Sequence, residues 1–300
     1  MPFQRIAKLS LSAAWRTASR VGRCLPRGAG SRRAARCVIL YYHGVTDRQR
    51  DRFRCQMEWL KRATRVVSLA DAVGANDPVG TACAGRPSGD LQTCVTFDDA
   101  FDNVRRNAAP ILAELALPAT VFAVSGNLGR PPAWEMPGGH ADAGETIMTP
   151  EALRDLPDSL IEVGSHTMSH VNLTSCTSSE LRREVTESKR GLEEVVGHPI
   201  RFFSVPFGAY TADAIRIARD AGYHAVVTSD PLPVGTERDP FCLGRFAVSP
   251  DDWMVEFKLK AAGAYAWRGR VWRWQGRIPT TDRRKDPGDV RSGPRVKEIA

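Results

Sequence analysis

Short apolar runs alternate along the chain with longer segments in which apolar positions recur every three or four residues. The short runs are rich in β-branched and aromatic residues, which is typical of buried strands, and the longer segments have the spacing of one helix face. The predicted strands lie at 37–45, 65–69, 94–97, 118–124, 160–166, 201–208, 223–229 and 242–249. The predicted helices lie at 53–64, 69–73, 102–115, 149–156, 178–197 and 211–222. This alternation predicts a parallel α/β fold and is compatible with closure of the sheet into a barrel.

Several residues indicate where these helices begin, bend and end. Asp102 is placed to cap the helix that contains Pro110, and this proline should bend the helix because it has no N–H to donate. Thr149 precedes a proline, which favours the first helical position. A serine should cap the helix at 178–197, and Gly197 should end it.

The composition is that of a globular protein, with 42% hydrophobic and 25% charged residues, and no apolar run is long enough to predict a transmembrane helix. The net charge of +8 is concentrated at the two ends of the chain. Residues 1–36 contain nine Lys or Arg and no acidic residue, and residues 251–300 carry +5, so residues 37–250 carry −6. Basic ends of this kind suit an anionic membrane face or an anionic polymer, and a solvated tail explains them equally well.

The N-terminal segment does not match a secretory signal peptide, because Lys8, Arg16 and Arg20 interrupt its apolar stretch. The seven cysteines include no CxxC pair, which argues against a disulfide framework and against a thiolate zinc site. A reducing compartment fits this usage, and we expect a cytoplasmic protein with peripheral contact to an anionic membrane. The apolar residues near the N-terminus are spaced for a basic amphipathic surface helix; they are Ile6, Leu9, Leu11 and Trp15.

Polar groups with metal-binding or catalytic chemistry follow four of the predicted strands. They are His43, Asp98 with Asp99, His166, and the turn at Pro206–Gly208. Because ligands gather at the carboxyl ends of parallel strands, these groups should meet at one edge of the sheet. His170 follows His166 by four residues, so both imidazoles could lie on one face of a helical turn and reach one cation. Two histidines and a carboxylate are a common catalytic ligand set for Zn²⁺, and other divalent transition metals also accept them.

A cation would also explain the two adjacent carboxylates, since like charges repel and burial of either one is costly without a positive group nearby. One aspartate would bind the metal, and the other would stay free as a general base beside a metal-activated water. Each feature alone has an ordinary explanation. The HxxxH spacing is often two surface histidines, the Asp-Asp pair is often a cap or a solvated turn, and His43 could be a buried core residue. Their combination at successive strand ends is harder to explain in that way.

Three of these motifs together resemble a known family. The segments "VTFDDAFDN", "EVGSHTMSHVNLT" and "FFSVPFGAY" are similar to the motifs of the polysaccharide deacetylases, carbohydrate esterase family four, which share the NodB homology domain. The similarity runs from about residue 37 to about residue 250. The predicted strand that leads to His43 precedes the one that leads to Asp98 and Asp99. This order of motifs resembles the circularly permuted branch of the family, which includes the poly-N-acetylglucosamine deacetylases.

The resemblance implies a distorted (β/α)7 barrel and a metal-dependent hydrolase that removes N-acetyl groups from an N-acetylated sugar polymer, such as an exopolysaccharide, or from an oligosaccharide. It implies that Asp98 is the general base and that His43 is the general acid. It also implies that the backbone N–H of Phe207, between Pro206 and Gly208, helps to hold the oxyanion. The metal ligands that it implies are Asp99, His166 and His170, with Zn²⁺ as the expected ion.

Three features depart from the family pattern. Ala100 stands where the family usually has glycine, and we expect little effect from it. Ser204 stands where many members have an arginine that orients the base, so the sequence leaves open what holds Asp98. No later histidine of the family's "LxH" type follows, which increases the weight on His43.

We therefore expect a single catalytic domain at 37–250, preceded by a basic extension at 1–36 and followed by an aromatic-basic helical segment at 251–275 and a disordered tail at 276–300. In the aromatic-basic segment, tryptophans alternate with Lys and Arg, which suits packing on the barrel or docking on a membrane surface. Nucleic acid is not an expected partner, because the predicted domain is acidic. The alternative function is a catalytically inactive carbohydrate-binding or membrane-surface protein that retains the barrel.

Overall fold

The computed structural model describes residues 2–24, 37–74, 91–135, 142, 144–234 and 239–275, with the side chains of the N-terminal helix described from residue 5 to residue 17. Within these residues eight strands form one sheet, and each overlaps a segment whose apolar pattern predicts a strand. They are β1 (Cys37–Tyr42), β2 (Arg65–Val66), β3 (Gln92–Phe97), β4 (Ala119–Ala123), β5 (Ile161–Ser165), β6 (Phe202–Ser204), β7 (Ala225–Val227) and β8 (Arg245–Ala247).

Neighbouring strands are parallel and follow the order β7-β6-β5-β4-β3-β1-β8, with the short β2 paired to β3. The two ends of this order meet. The N–H of Leu243, just before β8, donates to the carbonyl of Val226 (2.9 Å), and the N–H of Thr228 donates to the carbonyl of Leu243 (2.8 Å). These bonds close the sheet almost completely, so the predicted distorted barrel is confirmed, with β2 as an additional short strand.

Helices occupy the connections between the strands and the two ends of the described chain. They are α1 (Pro2–Cys24), α2 (Arg50–Ala63), α3 (Leu69–Val73), α4 (Ala109–Leu115), α5 (Pro150–Arg154), α6 (Ser178–Val196), α7 (Ala212–Asp220), α8 (Met254–Ala261) and α9 (Ala266–Trp274). The helices that separate successive strands of the barrel path are what allow those strands to run parallel.

The cap of α6 differs from the prediction of a serine. Thr177 caps the helix: its hydroxyl accepts from the N–H of Glu180, while the Glu180 carboxylate accepts from the N–H of Thr177. This reciprocal arrangement satisfies two backbone donors, and the candidate serine at 178 is already inside the helix. Gly197 ends α6 in a left-handed conformation with φ of 77°, as predicted.

The segment around Pro110 also begins differently from the prediction. Asp102 does not act as the cap; its carboxylate accepts hydrogen bonds from the side chains of Arg105 (2.7 Å) and Arg106 (3.0 Å). A π-helical turn at Val104–Ala108 then leads into α4. Because Pro110 cannot donate a backbone hydrogen bond, the regular α-helical ladder is interrupted here, and the wider turn takes its place.

The strands bury side chains on both of their faces. Alternate residues of a strand point to opposite sides of the sheet. On β1, Leu40 and Tyr42 pack outward with helix residues such as Phe53, whereas Ile39 packs inward with Phe122. The inward cluster fills the barrel interior and consists of Cys37, Ile39, Cys94, Phe122, Phe202, Ala225, Val227 and Leu243, with residues of α3 among its neighbours. The site described below therefore lies over a packed core.

Other expectations concern the ends and the surroundings of the barrel. The boundaries at 37–250 remain a proposal, since the barrel strands begin at Cys37 and end at Ala247. The predicted disordered tail at 276–300 lies outside the described residues. Among the described residues, no helix combines the length and the apolar character that crossing a membrane requires. The cysteines described as free thiols are Cys37, Cys55, Cys94, Cys176 and Cys242.

Candidate active site

Four strands of the barrel end at the same edge, and each leads to a residue singled out from the sequence. His43 follows β1, Asp98 and Asp99 follow β3, His166 follows β5, and the turn at Pro206–Gly208 follows β6. The strands are parallel, so their carboxyl ends open on one side of the barrel. Both aspartates are only 3% exposed, so two neighbouring carboxylates are buried at this edge.

Asp99, His166 and His170 converge on one point. The Oδ1 atom of Asp99 lies 3.6 Å from Nε2 of His166 and 3.3 Å from Nε2 of His170. One potential ligand atom from each residue lies within 4.8 Å of the other two, and all three residues are buried. We call these three residues the Asp-His-His cluster.

The turn that carries the two histidines is not helical, which corrects the expectation from their spacing. β5 ends at Ser165, and Thr167 and His170 have left-handed backbone conformations with φ of 67° and 55°. A helical turn would need both residues in the right-handed region. The two imidazoles therefore meet at Asp99 because the chain folds back on itself after β5, with His170 N–H donating to the hydroxyl of Thr167 (2.9 Å).

Left-handed backbone recurs around the cluster. Asp99, Ala100 and Phe207 adopt it with φ of 68°, 56° and 57°. For a residue with a Cβ this conformation costs about 1–2 kcal/mol. Strain of this kind concentrates at functional sites, where the surrounding structure holds it. Ala100 thus occupies, at some cost, a conformation that glycine adopts freely, which explains why glycine is the residue expected there.

Glu184, on α6, holds the histidine turn from behind. Its carboxylate is 3% exposed and accepts from the N–H groups of Met168 (3.0 Å) and Ser169 (2.9 Å) and from the hydroxyl of Ser169 (2.6 Å). Charge-assisted bonds of this kind are among the stronger ones in proteins. Glu184 therefore fixes the backbone between His166 and His170.

Replacing Glu184 with alanine should loosen this turn and lower the affinity for a divalent metal by about 10–100-fold, the usual effect of removing a group that orients metal ligands. Competition between the protein and a chromophoric chelator for Zn²⁺ measures this affinity. Glu187→Ala is the matched control, because Glu187 lies on the same helix and pairs with Arg190 at the surface. The control should bind Zn²⁺ as the unmodified protein does. Equal affinities for the two variants would show that Glu184 contributes only to stability.

The protonation states of the cluster suit a metal. Burial lowers the pKa of His166 to about 4, and burial together with the nearby His166 lowers the pKa of His170 further. Both imidazoles are therefore neutral near pH 7, which is the form that binds metals. Nδ1 of His166 lies 2.8 Å from the carbonyl oxygen of Ser204; donation of a proton to that oxygen leaves the lone pair on Nε2, directed toward Asp99.

The donor set also fits the expected metal in type. Two imidazole nitrogens and one carboxylate oxygen are ligands that Zn²⁺ and other divalent transition metals accept. Nε2 of His170 faces Asp99, and Nδ1 of the same ring is buried and has no hydrogen-bond partner among the described residues. The Asp-His-His cluster can therefore hold such an ion.

Asp98 has a different partner from Asp99. Its two oxygens accept from the two Nη atoms of Arg245, each at 2.8 Å, and Oδ1 also accepts from the hydroxyl of Ser204 (3.1 Å). Burial alone would raise the pKa of Asp98, but the guanidinium of Arg245 outweighs it and holds this pKa well below its ordinary value. Asp98 is therefore an ionised carboxylate in a fixed orientation.

Arg245 is itself completely buried and well provided with partners. Its Nε donates to the carbonyl of Thr228 (3.1 Å), Nη1 donates also to the hydroxyl of Thr96 (3.2 Å), and Nη2 donates also to Ser204 (2.9 Å). The guanidinium carbon lies 4.5 Å from the centre of the Tyr41 ring. The arginine that orients Asp98 therefore comes from β8 and not from position 204.

The sequence alone did not single out Arg245 or Glu184. For Arg245 a signal was present, since it is the one charged residue in the apolar run "CLGRFAVS", and a charge in a buried strand needs a partner. Glu184 gave no comparable signal, because it is one of several glutamates on a helix whose other face is exposed.

Three partly exposed rings lie near the cluster; they belong to His43, Trp134 and Phe207. His43 is half-buried, with its ring 5.8 Å from that of Tyr41, and it is close enough for its charge to influence the pKa of His170. The ring of Trp134 stacks on His170 at 4.1 Å, and the ring of Phe207 meets His170 edge-on at 4.6 Å. Trp134 lies in the irregular segment between β4 and α5, and long irregular segments of this kind often line functional sites.

The turn after β6 has little freedom. Pro206 is buried, and Gly208 has a φ of 62° at a point where an added Cβ would lie 2.8 Å from that of Ser229. Only glycine fits this backbone without displacing its neighbour. The turn thereby restricts the backbone of Phe207, whose ring contacts His170.

Comparison with known protein families identifies the class of this domain. Residues 86–226 match the family described as polysaccharide deacetylase. This region contains both aspartates, both histidines and Phe207, while His43 and Arg245 lie outside it. The chain thus carries a domain of the polysaccharide deacetylase family with a NodB-type barrel, and the predicted enzyme class, a hydrolase of this family, is confirmed.

Individual relatives agree with this assignment. YxkH of Bacillus subtilis (strain 168), which is named for this family, is 24% identical over 226 residues, or 72% of this chain and 72% of its own length. A chitooligosaccharide deacetylase of Sinorhizobium fredii is 27% identical over 134 residues, which cover 44% of this chain and 54% of that protein. The structure of IcaB from Ammonifex degensii is 25% identical with a TM-score of 0.61, and the match covers 78% of this chain and 99% of that one.

Proposed function

We propose that this protein removes N-acetyl groups from an N-acetylated sugar polymer or oligosaccharide of the N-acetylglucosamine type. The observation that carries this proposal is the pairing of the Asp-His-His cluster with a second carboxylate, Asp98, that is ionised and held separately. The relative in Sinorhizobium fredii, a chitooligosaccharide deacetylase, supports the sugar class.

Asp99, His166 and His170 would hold the metal, and Zn²⁺ is the first expectation from the ligand types. When bound there, a divalent ion would polarise the acetyl carbonyl and make a water molecule more acidic. The protein's own residues supply the remaining parts of the reaction.

Asp98 acts as the general base. It takes a proton from the attacking water, whose oxygen forms a bond to the acetyl carbon. Arg245 keeps the carboxylate ionised and fixes its plane, because both oxygens are engaged by the two Nη atoms. The same contact makes Asp98 a weaker base, and its fixed orientation offsets this loss, since a base must lie within hydrogen-bond reach of the proton that it removes.

His43 acts as the general acid. An amide nitrogen leaves poorly unless it is protonated, and His43 gives its proton to the sugar nitrogen as the C–N bond breaks. The backbone N–H of Phe207 donates to the acetyl oxygen as negative charge develops on it. The products are acetate and the free amino sugar, so one water molecule is consumed for each acetyl group removed.

Release of acetate from acetylated chito-oligosaccharides tests the proposal. The full chain should release acetate when loaded with Zn²⁺, lose this activity after dialysis against a chelator, and regain it when Zn²⁺ is restored. Peptidoglycan fragments provide a second N-acetylated substrate for comparison. If the metal-loaded protein releases no acetate from either substrate, the proposal is wrong.

The alternative, an inactive carbohydrate-binding or membrane-surface protein with the same barrel, is not favoured. The chain retains both aspartates and both histidines, and Arg245 replaces the arginine that is missing at Ser204. If the protein were an inactive binder, a column that carries it would retain acetylated oligosaccharides, and these would keep their acetyl groups. The cytoplasmic location expected from the cysteine usage stays a prediction.

A further inference from the structure

Three helices near the ends of the described chain form one surface on the side of the barrel. α1 lies against α8 and α9, although more than two hundred residues separate them in sequence. The indole N–H of Trp267 donates to the hydroxyl of Ser12 (3.0 Å), and the guanidinium of Arg270 lies 4.9 Å from the ring centre of Trp15. We call the exposed residues of 5–17 and 253–275 the terminal-helix surface.

The outward face of α1 carries no charge over the described side chains. The charged residues of this stretch, Arg5, Lys8 and Arg16, are half-buried. The exposed residues are Ile6, Ala7, Ser10, Leu11, Ala13, Ala14 and Thr17. A helix that faces water usually turns its charged residues outward and its apolar residues inward. Here the leucine at position 11 is 57% exposed, so the arrangement is partly reversed.

Exposed apolar side chains are concentrated on the same surface. Among the described residues, all large apolar side chains that are exposed belong to it; they are Ile6, Leu11, Trp253, Val255, Val271 and Trp274. The most exposed is Trp274, at 87%. The guanidinium of Arg5 lies 4.5 Å from the ring centre of Trp253, which joins the start of α1 to the start of α8. Exposed apolar patches of this kind mark interaction surfaces.

The exposed charged residues of the terminal-helix surface are both basic; they are Arg270 and Arg273, on α9. The three helices contain ten Lys or Arg and one acidic residue, Glu256. The Glu256 carboxylate is already paired with Arg5 (2.7 Å) and Lys260 (3.3 Å). The barrel segment at 37–250 carries −6, whereas the three helices together carry +9.

We propose that the terminal-helix surface docks on an anionic lipid bilayer. Tryptophan and aliphatic side chains fit the boundary between headgroups and acyl chains, and Lys and Arg interact with lipid phosphates. A second copy of this chain is a poorer occupant, because it would bring two basic surfaces together. Docking of this kind is independent of the proposed deacetylase activity and would hold the protein at a membrane surface.

Sedimentation with sucrose-loaded vesicles tests the proposal with the full chain. At physiological salt the protein should partition at least tenfold more strongly onto vesicles that contain roughly one-third phosphatidylglycerol than onto pure phosphatidylcholine, since each basic residue near an anionic surface contributes about fivefold. Tryptophan emission should shift to the blue when anionic vesicles are added, because Trp274 leaves water. Equal partition onto both kinds of vesicle, or onto neither, overturns the proposal.

Two double variants separate the apolar and the charged contributions. Ile6→Ser with Leu11→Ser should weaken partition onto anionic vesicles about tenfold, because apolar burial drives insertion. Arg270→Gln with Arg273→Gln should weaken it about 25-fold, or about fivefold for each charge removed. The matched control, Arg183→Gln with Arg190→Gln, removes two exposed charges from α6 and should have no effect.

The variants also distinguish the other occupants. If the control weakens partition as much as the pair on α9, net charge alone explains the binding, and the proposal is wrong. If the protein is a dimer in solution that Ile6→Ser with Leu11→Ser converts to a monomer, the surface belongs to a second copy, and the proposal is also wrong. Circular dichroism of each variant checks that its total helix content is unchanged.

Discussion

Replacement of Arg245 by methionine is expected to lower the free energy of unfolding by about 3–5 kcal/mol, the usual cost of removing one partner of a buried ion pair. Asp98 would lose two charge-assisted hydrogen bonds and would remain, 5% exposed at its side chain, as an uncompensated negative charge. Methionine keeps most of the aliphatic stem of arginine, so the loss of stability measures the contribution of the guanidinium group. Unfolding in urea, followed by circular dichroism, measures the change.

The matched control is Arg201→Met. Arg201 pairs with Glu162 at a similar distance (2.8 Å), but its side chain is 33% exposed, so the expected loss is at most about 1 kcal/mol. The double variant Asp98→Asn with Arg245→Met should be more stable than Arg245→Met alone, because it removes the charge that was left unpaired. A loss for Arg245→Met no larger than that of the control would mean that the pair does not hold this edge of the barrel together.

Much of the barrel could be predicted because each strand carries its own signal. The runs that became β1 and β3 are apolar, β-branched and short, and a helical pattern follows each of them. Closure of the sheet carries no such signal. It depends on hydrogen bonds between Leu243 and the end of β7, which form only when the whole sheet has curved. Barrel closure is a property of all the strands, so no local pattern predicts it.

The residues of the candidate site could also be predicted from the sequence only in part. The aspartates and histidines could be identified because each follows a predicted strand, and parallel strands bring their carboxyl ends together. The partner of Asp98 could not, because 147 residues separate it from Arg245 and the contact depends on β8 joining β1. The left-handed conformations at Thr167 and His170 were equally hidden, since a residue other than glycine gives no sign that it adopts them.

The three aspartates that follow β3 should respond differently when each is changed to asparagine. Asp98 pairs with Arg245, Asp99 faces the two histidines, and Asp102 pairs with Arg105 at a partly exposed position. Their chemistry is the same, so a difference between the variants reports position alone. Metal affinity and the rate of acetate release are the two quantities to compare.

Asp98→Asn should lower kcat by about a thousandfold, within the range expected for loss of a general base. Its affinity for Zn²⁺ should stay within a few-fold of the original, because Asp98 is not part of the Asp-His-His cluster. Asparagine keeps a hydrogen-bonding group near Arg245 but leaves that guanidinium without its counter-ion, which lowers the stability of the variant. The assays should therefore be run well below its melting temperature. More than a tenth of the original kcat would rule Asp98 out as the base.

Asp99→Asn and Asp102→Asn complete the comparison. Asp99→Asn should lose both activity and tight Zn²⁺ binding, because the amide replaces the only carboxylate in the Asp-His-His cluster. Asp102→Asn should change neither quantity by more than about twofold, because an exposed ion pair contributes little. Loss of metal binding in Asp98→Asn, with binding retained in Asp99→Asn, would exchange the two roles. The predicted pattern is loss of activity alone in Asp98→Asn and loss of both activity and metal binding in Asp99→Asn. This pattern assigns the metal to Asp99 and the proton to Asp98, and it explains why the chain places two carboxylates side by side at the end of one buried strand.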